Sequence, residues 1–136
     1  MPKDFNNWNI TKKKIDAFDN KVFFHSREIW WSSLGVNIGS EQDGKNNQFE
    51  RPVLILRKFN NSLFLAVPMT SNLKTGRYYF SIESKGNKKS NAILSQVRVL
   101  DSKRLLRKIT TISKKQFEIL TKNIISIILN KTDLPN

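Results

Sequence analysis

The chain of 136 residues contains no cysteine and one histidine, His25. Without thiols there are neither disulfides nor thiolate metal sites, and a single imidazole removes every mechanism that needs two. No glycine loop of the P-loop type is present, nor any internal repeat or low-complexity segment. No apolar run approaches a membrane span; "IISIIL" at 124–129 is far too short. The first residues, "MPKDFNNWNITKKK", lack the apolar core of a signal peptide. These absences predict a cytoplasmic chain with no membrane partner.

What is present is apolar bulk and positive charge. A hydrophobic fraction of 38%, with nine Phe and three Trp, argues for a folded core despite the charge, and the length suits one globular domain. The net charge is +13. Residues 1–50 hold seven basic and seven acidic side chains, so the whole excess lies from Arg51 onward. Such asymmetry suits a polyanionic partner, either nucleic acid or an acidic protein segment. A solubilising surface gives the same composition, and no helix-turn-helix or basic helix points to duplex DNA.

Periodicity orders the elements. Trp8, Ile15, Phe18 and Val22 predict a short amphipathic helix over 8–22 behind an asparagine cap. "REIWWSSLG" (27–35) reads as a strand in which Trp30 and Trp31 point to opposite faces, one to the core. "RPVLILRKF" (51–59) is a strand buried on both faces, and "NN" (60–61) turns it into "SLFLAVPMT" (62–70) as a hairpin. Further strands are expected at 77–83, 92–101 and 108–112, with a turn at 84–91. Asp101 caps a helical turn, and Ser113 with Gln116 forms a capping-box pattern. A last helix carries Phe117, Leu120, Ile124, Ile127 and Ile128 on one stripe. Six short strands between two helices predict a mainly β, α+β fold: a small SH3-like barrel or strongly bent antiparallel sheet with a C-terminal helix and an extra N-terminal helix. The expected divisions are a helical extension at 1–26, the barrel domain at 27–129 and a flexible tail at 130–136.

The stretch "GSEQDGKNNQFERPVLIL" (39–56) joins a polar loop of about a dozen residues to the buried strand, more than a connection needs. Arg51 stands at the junction, and its planar fork of donors matches two phosphate oxygens. Thr70 ends the returning strand, so the two share one end of the hairpin. Taken singly, an arginine at a strand start commonly leaves its head in water, and a threonine there commonly satisfies a turn. Their convergence with the long loop raises the pair. Glu41, Asp43 and Glu50 lack recognisable spacing for Mg²⁺, and His25 reads as a packed or strand-edge residue.

The string "REIWWSSLGVNIGSEQDG…RPVLIL…LAVPMTS…AILSQVRVLDSKRL" resembles the MazF/PemK family of toxins from bacterial toxin–antitoxin pairs, over about residues 27–129. The resemblance implies a compact barrel-like homodimer that cuts single-stranded RNA at short sequences without a cofactor or metal and is held by a cognate acidic antitoxin. It implies attack by the ribose 2′-hydroxyl, leaving 2′,3′-cyclic phosphate and 5′-hydroxyl ends. Arg51 and Thr70 fall on the family's catalytic pair, and Ser40, Glu41, Gln42, Ser71, Gln96 and Arg98 on its RNA-facing motifs. Ser40 and Ser95 stand where some members carry His and Asp, and "DGKNNQFE" lengthens the loop before Arg51. The helix before residue 23 lies outside the resemblance and is expected to cover a sheet face. The alternative is a non-catalytic binding protein of the same fold, either a gyrase-inhibitor-like toxin or a silent RNA-binding relative.

Overall fold

In the computed structural model, which describes residues 2–19, 21–84 and 88–130, the architecture is set by the strand Glu50–Lys58 (β2, following β1 at Glu28–Ser33). Its apolar run faces two ways because successive side chains on a strand alternate. Val53 and Ile55 enter one core with Trp30, Phe64 and Leu100, while Leu54 enters a second core with Ile29, Val67 and Leu120. All three β2 side chains have no exposed surface, which stabilises the fold by roughly 1.5–3 kcal/mol each.

β1 and β3 (Leu63–Thr70) flank β2 antiparallel, and the registers Ile29↔Leu54 and Leu54↔Val67 line one face across three strands. Asn60 builds the β2–β3 turn by accepting the amides of Ser62 and Leu63, both at 2.8 Å. Beyond β1 lies β7 (Leu105–Thr111); beyond β3 lie β5 (Lys88–Ile93) and then β4 (Tyr79–Ser84). The remaining strand, β6 (Arg98–Asp101), also pairs with β3. The sheet thus runs β4-β5-β3-β2-β1-β7 and is strongly bent but not closed into a barrel.

One expected strand, 92–101, is two. Met69↔Ala92 and Thr70↔Asn91 pair β3 with β5, while Leu63↔Asp101 to Ala66↔Arg98 pair it with β6. A 3₁₀ turn at Leu94–Gln96 separates them, burying Leu94 in the second core and sending the Gln96 side chain out to the 40–42 loop. Of the turn expected over 84–91, Ser84 lies in β4 and residues 88–91 in β5, and residues 85–87 lie outside those described. The strand expected at 108–112 starts earlier, at Leu105, whose side chain is fully buried.

The helix Lys114–Ile128 (α2) covers the second core with Leu120 and Ile124. Ser113 accepts the Gln116 amide at 3.2 Å, but the Gln116 side chain bonds the Glu83 backbone instead of completing the box, tying the helix to β4. Ile128, expected on the buried stripe, lies in the last turn and is 73% exposed. The helix α1 spans Phe5–Ala17 and is capped by Asp4, not an asparagine, with Trp8 its buried residue. Phe18 is exposed past its end, and Val22 reaches the first core from an extended segment. α1 reaches the loops around β1 and β2 and the 3₁₀ turn at Ser102–Arg104. Trp8 lies against Gly35 and Phe49, and Lys103 Nζ bonds the Asp16 carbonyl. Among the described residues no helix is long and apolar enough to cross a membrane; the tail from 131 lies outside them.

Candidate active site

The polar stretch before Arg51 is folded as a strap. Gly44 N–H donates to the Gly35 carbonyl at 2.7 Å, and Lys45 and Glu50 exchange backbone bonds at 2.8 Å each. Phe49 receives the amides of Leu34 and Gly35 at 2.8 and 3.0 Å on its carbonyl, and adopts φ +52°, a region few non-glycine residues occupy. Gly44 is required by close approach: a Cβ there would stand 1.7 Å from the Phe49 oxygen. Asn37 crosses the strap, donating from Nδ2 to the Gln42 carbonyl at 2.8 Å.

Arg51 sits under this strap and is 7% exposed. Its Nε donates to the Asp43 carbonyl at 2.5 Å and Nη1 to the Met69 carbonyl at 3.0 Å. With the Gln42 amide oxygen turned toward it, the guanidinium also donates from Nη2 at 2.8 Å. One N–H on each terminal nitrogen stays uncommitted, since arginine carries five. Burial lowers the Arg51 pKa and the Asp43 carboxylate opposes that shift; the group stays charged at any ordinary pH.

The β2–β3 register, Val53↔Pro68, continued by one two-residue step sets Thr70 opposite Arg51. The Thr70 hydroxyl, half-buried, accepts the Asn72 amide at 3.2 Å, leaving its own proton free to donate. Asn91, 2% exposed, donates to the Lys74 carbonyl at 2.8 Å and so steadies the loop that follows. Ser71 is exposed at the start of that loop.

The other expected RNA-facing residues gather beside the 40–42 segment of the strap. Gln96 accepts the Gln42 amide on Oε1 at 3.1 Å and donates from Nε2 to the Ser40 carbonyl at 3.1 Å. Ser40, Glu41, Gln96 and Arg98 line one surface depression, together with Asn37 and Ser95. Gln42 joins this depression to Arg51, with its backbone on Gln96 and its side chain on the guanidinium. The three strap carboxylates do not converge. Glu41 accepts the Ile38 amide, Asp43 the Asn37 amide and Lys3, and Glu50 pairs with Arg107. His25 is exposed beside Glu28, 3.5 Å from its carboxylate, and is not packed.

Sequence reasoning passed over Asn37 and Lys3, and weighed Asp43 only as a metal ligand. The Asp43-Gly44 dipeptide is a turn signal that marks the strap's fold, but nothing in the sequence ties Lys3 to a loop about forty residues away.

The model of the PemK-like, MazF-like toxin of type II toxin–antitoxin systems matches residues 25–128. Among solved structures, a MazF from Deinococcus radiodurans shares 16% identity, with 77% of this chain and 96% of that one covered at a TM-score of 0.62. A mycobacterial endoribonuclease in complex with its cognate antitoxin shares 11% identity, covering 83% and 100% at 0.62. The Mycobacterium tuberculosis toxin MazF-mt6 shares 17%, covering 79% and 100% at 0.59. A search of curated proteins gives no match.

Proposed function

Since the chain belongs to the PemK-like, MazF-like toxin family of type II toxin–antitoxin systems, we propose that it is a sequence-specific endoribonuclease that cuts single-stranded RNA without a metal ion. The observation that carries the reading is the site built at one end of the β2–β3 pair. There a buried, charged arginine is fixed by neutral carbonyls, stands opposite Thr70 in the continued strand register and is joined through Gln42 to a polar depression.

The ribose 2′-oxygen attacks the adjacent phosphorus, a bond to the 5′-oxygen breaks, and the products are a 2′,3′-cyclic phosphate and a 5′-hydroxyl. The 2′-hydroxyl gives up its proton and the leaving oxygen gains one. Arg51 and Thr70 are not bases at neutral pH, so they act on charge and geometry. Negative charge grows on the non-bridging oxygens, where the uncommitted Arg51 N–H groups stabilise it without reorganising, the effect that commonly dominates such catalysis. Thr70 donates its hydroxyl proton to a phosphate oxygen. Ser40, Glu41, Gln96 and Arg98, together with Ser71, contact the flanking nucleotides.

The excess of basic residues after position 50 attracts the RNA backbone and equally an acidic antitoxin segment. In this reading the toxin acts in the cytoplasm as a homodimer and is neutralised by its cognate antitoxin.

The test is incubation with a long, weakly structured RNA in EDTA, beside Arg51→Ala, followed by mapping of the ends. Cuts at a short recurring motif with cyclic phosphate ends, absent in the variant, are the expected result. Absence of cuts by a folded protein on several RNAs overturns it in favour of a binding protein of the same fold.

A further inference from the structure

The family match begins at residue 25, so the first helix lies outside it, yet that segment's contacts converge on the strap that holds Arg51. Lys3 Nζ donates to the carbonyls of Asn37 at 2.7 Å and Gly39 at 2.8 Å, and it pairs with Asp43 Oδ2 at 2.9 Å. An ammonium has three N–H donors, and these contacts use them all. The other carboxylate oxygen of Asp43 receives the Asn37 amide at 2.6 Å, and the Asp43 backbone carbonyl receives Arg51 Nε at 2.5 Å. Asp43 therefore links Lys3 to Arg51 through a single residue.

Trp8 holds the strap's other margin. Its buried ring lies so close to Gly35 that a Cβ there would fall 2.2 Å away, and it meets Phe49 edge-on at 5.5 Å. Phe49 is the residue whose positive φ turns the chain into β2, two positions before Arg51. A backbone in that region persists when its surroundings over-determine it, and Trp8 supplies part of that constraint.

We propose that the N-terminal segment is a clamp on the active-site strap, with Lys3 a positioning residue that fixes Arg51 through Asp43. The proposal rests on the ribonuclease reading above. An ordinary exposed lysine–carboxylate pair contributes little. Lys3 differs because two of its bonds go to the backbone of the strap itself, at 27% exposure of its side chain. A loosened strap leaves RNA able to bind but lets the guanidinium wander from the geometry that the transition state needs.

The experiment compares Lys3→Met, which keeps the stem and removes the ammonium, and Lys3→Arg with the full-length protein. Two readouts are taken: hydrogen exchange of the strap amides and the Arg51 Nε–H, and the kinetics of RNA cleavage. Lys3→Met is expected to speed exchange at Asn37, Gln42, Gly44 and Arg51 Nε by roughly 10-fold while the β2 and β3 core amides keep their protection. It is expected to lower kcat by roughly 10-fold with KM within about twofold of the native value, and Lys3→Arg to recover part of both. Unchanged exchange overturns the clamp, and so does faster exchange with native kcat. If the native protein cuts no RNA, the functional reading falls by itself, and the exchange comparison still decides whether Lys3 orders the strap.

Discussion

Glu50 and Arg51 are neighbours in the chain, both nearly buried, and they point to opposite faces of β2. Their charges meet different ends. Glu50 receives both terminal nitrogens of Arg107, at 3.0 and 3.3 Å, and the Asn46 amide, and those bonds hold its carboxyl below the usual range although burial pushes it up. Arg51 is held by the carbonyls of Asp43 and Met69 and the amide of Gln42. The nearest opposing charge, the Asp43 carboxylate, is already bonded to Lys3 and the Asn37 amide. A charge answered by an opposite charge supports the fold. A charge fixed by neutral dipoles keeps its field for an incoming anion, which is what a site that must meet a phosphate requires.

The sharpest way to break this contrast is Arg51→Lys, which keeps the charge and loses the fork. A lysine offers a point charge with three rotating donors, so it cannot bond Asp43 and Met69 and still face a phosphate. RNA cleavage is expected to fall by about 10²-fold or more with native circular dichroism and a bound-RNA signal retained. Cleavage within a few-fold of native would show that charge alone suffices and that the carbonyl cradle is incidental. Next in size is Gly44→Ala, whose new methyl group meets the Phe49 carbonyl in the strap's own backbone. We expect a loss of about 1–3 kcal/mol in denaturant unfolding, with cleavage impaired because the strap shifts. Unaltered stability would mean that the strap yields freely, against the argument that it fixes Arg51.

Thr70→Val tests the other strand. The change removes a hydroxyl that accepts the Asn72 amide, so stability changes little at this half-exposed place, while kcat is expected to drop about 10-fold if one transition-state hydrogen bond is lost. A KM effect alone would move Thr70 from the reacting phosphate to uniform substrate binding.

Much of this arrangement is legible in the sequence because it follows from strand geometry. The alternation in "RPVLIL" gives two buried faces, and the Asn60-Asn61 turn brings Thr70 back opposite Arg51. Gln96 and Arg98 appear in the string as RNA-facing residues, but their cooperation with Ser40 depends on the 3₁₀ break at Leu94–Gln96, which an apparently continuous strand conceals. The N-terminal helix is harder still. Its spacing predicts a stripe of Trp8, Ile15, Phe18 and Val22, yet the helix ends at Ala17 and Trp8 alone of the stripe is buried, in a notch opened by Gly35. Lys3 has no local pattern at all, since its partners are brought to it by tertiary structure. Local preference gave way where one large side chain found a better burial site.

The Glu50 side of the contrast gives the smallest effects. Glu50→Gln removes the ion pair with Arg107, whose side chain is half exposed, and is expected to cost about 1 kcal/mol or less with cleavage unchanged. The pH dependence follows from the direction of the shift. The folded-state pKa of Glu50 is depressed below its ordinary 4.5, so its contribution is present above that value and is lost as pH falls through the folded one. Glu28 behaves alike: burial raises its pKa, but the Trp30 indole, the His25 amide and Lys108 together outweigh burial and leave it lowered. Urea titrations of the native protein and Glu50→Gln should therefore show their full stability difference near neutrality. Below about pH 4.5 the difference should narrow and finally close as the carboxyl takes up its proton. A difference that persists unchanged into acid would mean that Glu50 is held by packing and neutral hydrogen bonds, and the division of labour between the two faces of β2 would have to be redrawn.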